Sequence, residues 1–162
     1  VDALLAAQSL SDADAISLYR YALPAAPSQA AAAEGEAIEP ERLLAWCAAQ
    51  TAGAERCLIE GVGGLMAPVC ERWLVCDWIE AMPACELWLV VGCRLGAINQ
   101  VLLTLDKLQR IGRPPTRVFF NATLAEHDAW IEPTRQAVAP FLPAGCEIIT
   151  LGYRQQPTSV DI

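Results

Sequence analysis

The chain has 162 residues, enough for one domain with a sizeable core. Apolar residues make up 54% of it, yet no apolar run approaches the length of a membrane span; the best is Leu87 to Val91. A net charge of -8 argues against nucleic acid or an anionic membrane as the main partner, but leaves nucleotides open, because phosphates are held by local backbone N–H groups and metal ions.

Val1 to Leu10 has a helical apolar rhythm through Val1, Leu4 and Leu5. Ile16 to Tyr21 is rich in β-formers, and Leu23 to Pro27 must be irregular. Ala30 to Gly35 reads as a short turn of helix stopped by glycine. Pro40 is well placed at a helix start, and Glu41 to Gln50 continues it. Cys57 to Glu60 then reads as a buried strand. Leu87 to Val91 is a second, Gly92 to Gly96 a loop, and Ala97 to Arg110 a helix with Ile98, Val101, Leu102, Leu105 and Leu108 on one face. Gly112 and Pro114-Pro115 end it. Arg117 to Phe120 is a strand ending at Asn121, His127 to Val138 an amphipathic helix containing Pro133, and Glu147 to Thr150 a last strand.

Strand, helix, strand, helix, strand implies parallel strands with helical crossovers, and continuous apolar strands imply a sheet covered on both faces. Ligands of such sheets bind beyond the carboxyl ends of the strands. Glu60, the loop after Gly92, and Asn121 all fall at those ends. The most informative of the three is Glu60-Gly61-Val62-Gly63-Gly64. Glycines let backbone N–H groups approach a ligand closely, and a strand-end carboxylate can hold a hard cation or a basic substrate group. The plainer reading is a turn with Glu60 in solvent. At Gly96, Ala97, Ile98 and Asn99 a helix opens, and its first N–H groups suit an anion; the plainer reading is a turn and a cap.

Seven cysteines, an odd count with no C-x-x-C pair, and one histidine disfavour a disulfide framework and structural zinc. The pattern fits a reducing cytosol, so a cytoplasmic location is expected. No secretory signal is visible. His127, between Glu126 and Asp128, reads as solvated or capping rather than as a general base. Arg94, just before Gly96, fits a contact to an anion or a surface pair equally well.

From Cys57 to Asn121 the chain resembles the ATP-dependent dethiobiotin synthetase family. The resemblance is carried by Leu58-Ile59-Glu60-Gly61-Val62-Gly63-Gly64-Leu65-Met66-Ala67-Pro68, by Asp77-Trp78, by Leu89 to Asn99 and by Phe120-Asn121. Upstream, Tyr19 to Pro27, Ala32 to Gly35 and Asp2-Ala3-Leu4 are also similar. The resemblance implies a P-loop NTPase-like α/β fold of the dethiobiotin synthetase type. It implies a homodimeric ligase of biotin biosynthesis that closes the ureido ring of dethiobiotin from diaminopelargonic acid and carbon dioxide, with ATP and Mg²⁺. By resemblance, Asp2 and Glu60 are the metal ligands, and Gly61, Val62, Gly63 and Gly64 lie beside the phosphates. Glu60, Gly63 and Gly64 then serve catalysis, Asn121 recognises adenine, and Gly96 to Asn99 hold the substrate carboxylate across a dimer interface.

One part of the family pattern has no counterpart. Nothing here resembles the phosphate-binding loop G-x-x-x-x-x-G-K-T that stands ahead of the segment matched by Asp2, and Lys107 is the single lysine. Leu151-Gly152-Tyr153-Arg154 also stands where the family carries a proline-containing adenine contact. The expectation is one α/β domain over residues 1–162, N-terminally incomplete and lacking the phosphate-loop strand. Two alternatives stay open: a separate chain supplies the loop, or the protein is a non-catalytic nucleotide-binding or dimerisation module. A related ATP-dependent amide-forming enzyme, such as a cobyrinic acid diamide synthase, is less well matched by V-G-x-x-L-G-x-I-N.

Overall fold

The computed structural model describes residues 2–155, with side chains described from Leu4 onward. The chain divides into two compact units, Val1–Met82 and Pro83–Ile162.

The regular structure of the first unit is mainly helical. Helix α1 spans Asp2–Gln8, α2 Pro27–Ala33 and α3 Pro40–Thr51. Both α2 and α3 start on proline, whose missing N–H costs nothing in a first turn. A two-stranded antiparallel hairpin, β1 (Pro68–Cys70) and β2 (Trp73–Leu74), turns at Glu71-Arg72 and runs straight into α4 (Val75–Glu80). The core of this unit joins Ala31, Ile38, Leu43, Cys47, Val69 and Val75. Between α1 and α2, residues 16–21 form no ladder despite their β-forming composition. They are held locally instead: the Tyr19 hydroxyl accepts the Glu39 N–H at 3.3 Å, and the Arg42 guanidinium lies 5.6 Å from the centre of the Tyr19 ring.

The second unit contains a three-stranded parallel sheet in the order β3 (Trp88–Gly92), β4 (Arg117–Asn121), β5 (Glu147–Leu151). Crossovers are α5 (Ala97–Arg110) and α6 (Asp128–Val138). The register pairs Leu89 with Val118 and Val91 with Phe120, so these four share one face. Val91, Val118 and Phe120 form a core there with Ala97, Val101 and Leu105 of α5 and Val138 of α6. Phe120 and Val118 are wholly buried, and each such side chain stabilises the fold by about 1.5–3 kcal/mol. On the opposite face the Trp88 and Phe119 rings lie 5.5 Å apart, and Arg117 stacks on Trp88 while pairing with Glu147 at 2.8 Å. The expected parallel sheet with helical crossovers is present; both crossovers contribute to the core on the face of Val91, Val118 and Phe120, whereas Val90 on the other face, expected to be covered as well, is 64% exposed.

The strand expected at Cys57–Glu60 is not. Residues 56–61 run without a ladder, Leu58 is 71% exposed, and Ile59 and Glu60 are exposed. A strand exists only through a neighbour that takes its N–H and C=O groups, and no described residue does so here. The hairpin β1–β2, with strands of three and two residues, has no counterpart among the sequence expectations.

Candidate functional site

In the first unit the glycine loop follows the extended run directly. Gly63 takes φ +72, a left-handed value that leaves its position to glycine, and a Cβ there would lie 3.1 Å from the Ala67 Cβ. The next residues anchor the loop from its far side. The Ala67 N–H donates to the Gly64 carbonyl at 2.8 Å, the Val75 N–H to the Ala67 carbonyl at 3.0 Å, and the Cys76 N–H to the Leu65 carbonyl at 2.9 Å. Gly61 packs close to Val75, where a Cβ would meet Cγ1 at 3.4 Å. The start of α4 is fixed in turn by Asp77, whose carboxylate accepts the Leu74 N–H at 2.7 Å. A carboxylate three residues into a helix that caps the residue before it is a familiar N-terminal device, but with Leu74 rather than a serine or threonine at the capping position the sequence carries only half of its usual signal. Gly64 is different from Gly63: an added Cβ would meet nothing within 4 Å. Val62 lies exposed between these glycines.

Glu60 is exposed, and its carboxylate makes no hydrogen bond or ion pair among the described residues. Asp2 opens α1, but its side chain lies outside the described residues. The described residues contain no group of three or more histidine, cysteine, aspartate or glutamate side chains arranged to hold a metal. A free carboxylate of this kind fits Mg²⁺, which uses one or two protein carboxylates and takes its remaining oxygens from phosphates and water.

In the second unit the three parallel strands end together. Gly92 pairs with Asn121, and Asn121 with Leu151. Beyond the ladder the Cys93 N–H donates to the Asn121 carbonyl at 2.9 Å, so the backbone of Asn121 is fixed while its side chain is half-buried. Cys93 is wholly buried, and burial pushes its thiol up, so it stays protonated and packs as an apolar group. Gly96 caps α5 at φ +88 with no side-chain cap. Ala97 is buried in the core, whereas Ile98 and Asn99 are exposed. The Ala97 N–H donates to the Arg94 carbonyl at 3.0 Å; those of Ile98 and Asn99 have no partner among the described residues. His127 lies 3.0 Å through Nδ1 from the Thr123 hydroxyl; it precedes α6 at the capping position but its side chain makes no cap hydrogen bond there. The structure thus keeps Glu60 to Gly64 together in one unit, and Gly96 to Asn99 with Asn121 on one rim in the other.

A family model described as an AAA domain matches residues 2–146. The chain belongs to this family. Its relatives are ATP-dependent dethiobiotin synthetases. That of Acidiphilium cryptum is 35% identical over 127 residues, covering 78% of this chain and 56% of the relative. That of Methylobacterium nodulans is 40% identical over 112 residues, covering 65% and 49%. That of Wolinella succinogenes is 38% identical over 94 residues, covering 58% and 43%. The chain spans about half the length of the curated relatives it matches. The dethiobiotin synthetase resemblance and the P-loop NTPase-like α/β class both stand on these matches. Among the described residues no helix is long and apolar enough to cross a membrane.

One contact had no sequence signal at all. Asp128, the first residue of α6, accepts the Tyr153 N–H at 2.7 Å, across 25 residues of sequence.

Proposed function

We propose that this chain is part of an ATP-dependent dethiobiotin synthetase, closing the ureido ring of dethiobiotin from diaminopelargonic acid, carbon dioxide and ATP. The observation that carries this reading is that one family match, over residues 2–146, runs through Glu60–Gly64, Gly96–Asn99 and Asn121 together. In this reaction one amine takes up carbon dioxide as a carbamate. A carbamate oxygen accepts the γ-phosphoryl group of ATP, and the second amine attacks the carbonyl carbon, losing a proton as phosphate leaves.

The chain's own residues have separate tasks in this reading. Gly61, Val62, Gly63 and Gly64 let backbone N–H groups approach the phosphates and the reacting amines. Glu60, with Asp2, offers the carboxylates for Mg²⁺, which when bound neutralises charge on the transferring phosphoryl group. Asn121 pairs with adenine through its amide donor and acceptor. The N–H groups of Ile98 and Asn99, without a partner among the described residues and at the positive end of the 14-residue helix α5, hold the substrate carboxylate. Leu95, Ile98 and Leu103, respectively 81%, 40% and 63% exposed, support α5 at a two-fold interface of a homodimer. The seven free cysteines support a cytoplasmic setting. Residues 1–162 are taken as one α/β domain, whose phosphate loop comes from further sequence or from a separate chain.

The test is the complete protein with diaminopelargonic acid, bicarbonate, Mg²⁺ and ATP. Dethiobiotin and ADP should form together and stop when any one component is withheld. ATP binding without product would favour the non-catalytic module instead, and neither binding nor product would reject the reading.

A further inference from the structure

The rim formed by the ends of β4 and β5 carries a second device. Asn121 and Leu151 are register partners, and the Ala122 N–H donates to the Leu151 carbonyl at 2.9 Å. The chain therefore leaves β5 immediately beside Asn121. It then folds Gly152 to Gln155 into a turn closed by the Gln155 N–H on the Gly152 carbonyl at 3.0 Å. The Gln155 side chain returns to accept the Gly152 N–H at 2.9 Å. Arg154 sits at φ +57, a left-handed conformation uncommon outside glycine, and its guanidinium lies 5.1 Å from the centre of the Tyr153 ring.

A turn with a strained residue needs an external tether, and Asp128 supplies it through the 2.7 Å bond to the Tyr153 N–H. The fit is close. A Cβ on Gly152 would lie 3.0 Å from Gln155 Oε1 and 3.3 Å from Asp128 Oδ1, so only glycine lets both acceptors reach the backbone undisturbed.

We propose that Asp128 is a positioning residue for nucleotide recognition: it fixes the Gly152–Gln155 turn, which with Asn121 forms the wall that meets the base. An aromatic ring stacked with a guanidinium offers a flat, polarisable surface of the kind that planar bases pack on. Asp128 touches neither base nor phosphate in this scheme and acts through the Tyr153 backbone. The inference rests on the reading that Asn121 recognises adenine.

The experiment uses the complete protein and compares Asp128→Ala with Asp128→Asn, which keeps an acceptor oxygen. ATP affinity is measured directly by titration, steady-state kinetics gives KM for each substrate, and amide hydrogen exchange follows the segment 151–155. Asp128→Ala should weaken ATP binding about tenfold, as expected for losing a hydrogen bond to a charged acceptor. The KM for diaminopelargonic acid and kcat should be unchanged, and the 151–155 amides should lose protection. Asp128→Asn should stay within about threefold of wild type and keep that protection. Gly152→Ala, which crowds both acceptors, should shift ATP affinity in the same direction as Asp128→Ala. Unaltered ATP affinity in Asp128→Ala, or equal loss in both Asp128 variants with kcat and both KM values changing together, overturns the inference. Wild-type protein that binds no ATP would overturn the proposed function and the base site with it, whereas wild-type binding with an unaffected Asp128→Ala overturns this inference alone.

Discussion

Replacing Gly63 and Gly64 by alanine, one at a time, separates what the backbone requires from what a ligand requires. Gly63 has φ +72, and alanine in the left-handed region costs about 1–2 kcal/mol. Its methyl would also stand 3.1 Å from the Ala67 Cβ, tight enough to force a local shift worth roughly another 1 kcal/mol. Stiffening of the unfolded chain returns about 0.4–1 kcal/mol, so Gly63→Ala should destabilise by about 1–2.6 kcal/mol net. Gly64 has no left-handed φ and open space around its would-be Cβ. There only the unfolded-state effect remains, and Gly64→Ala should be neutral or stabilising by up to about 1 kcal/mol. Urea unfolding followed by tryptophan fluorescence reads the difference as midpoints roughly 1 M apart. Activity should not follow stability. If the backbone at Gly64 approaches the phosphates or amines, the added methyl obstructs them, and kcat/KM should fall about a hundredfold in a protein at least as stable as wild type. Equal midpoints for the two variants would refute the conformational argument. Full activity in Gly64→Ala would refute the close approach.

Other outcomes follow from the same geometry. Glu60→Gln in the complete protein should leave the unfolding midpoint unchanged, because the carboxylate has no described partner, while lowering the rate on the order of a hundredfold and flattening its dependence on Mg²⁺; an unchanged metal response would return Glu60 to the role of a solvated loop residue. The 162 residues assayed alone should form no dethiobiotin, since Lys107 is the single lysine and lies within α5; turnover on the order of one per second or faster would contradict this. Glu132, held by hydrogen bonds from Arg135 and then Gln136, has its carboxyl lowered from 4.5 to about 2. A depressed carboxyl contributes stability that is present above its unshifted value of 4.5 and lost as pH falls towards 2. The contribution is small on an exposed helix face, so Glu132→Gln should flatten only part of the acid limb between those values in a plot of urea midpoint against pH, and parallel curves would contradict it.

The parts legible in the sequence were those fixed by local pattern. The unit from β3 to β5 could be read because each strand is a short apolar run and each crossover an amphipathic helix closed by glycine or proline, as Gly112 and Pro114-Pro115 close α5. Gly63 and Gly96 could be singled out because three glycines in four residues, or a glycine ahead of a helix, leave few conformations open, and both positions are left-handed. What could not be read depended on partners far along the chain. Cys57 to Glu60 has the composition of a buried strand, but composition does not supply a neighbour, and the segment is exposed. Asp128 resembles any acidic residue at a helix start, and nothing in its surroundings points to Tyr153.

The exposed run before Glu60 changes how the glycine loop should be understood. A loop at a strand end is ordinarily positioned from the strand, yet here every backbone hydrogen bond that fixes it comes from the other side, through Gly64, Leu65 and Ala67 to the start of α4. The shape of the turn is therefore written into Gly63, Ala67 and the Leu74–Asp77 cap, and is independent of any ladder at residues 57–60. The position of the Glu60 carboxylate is not fixed in the same way, because it precedes the anchored part and makes no hydrogen bond or ion pair among the described residues. Catalytic groups must be held to within about half an ångström. On the proposed reading, the glycines are poised by the contacts of this unit, whereas holding Glu60 equally well calls for a partner to the N–H and C=O groups of Leu58 and Ile59, which have none in a ladder among the described residues.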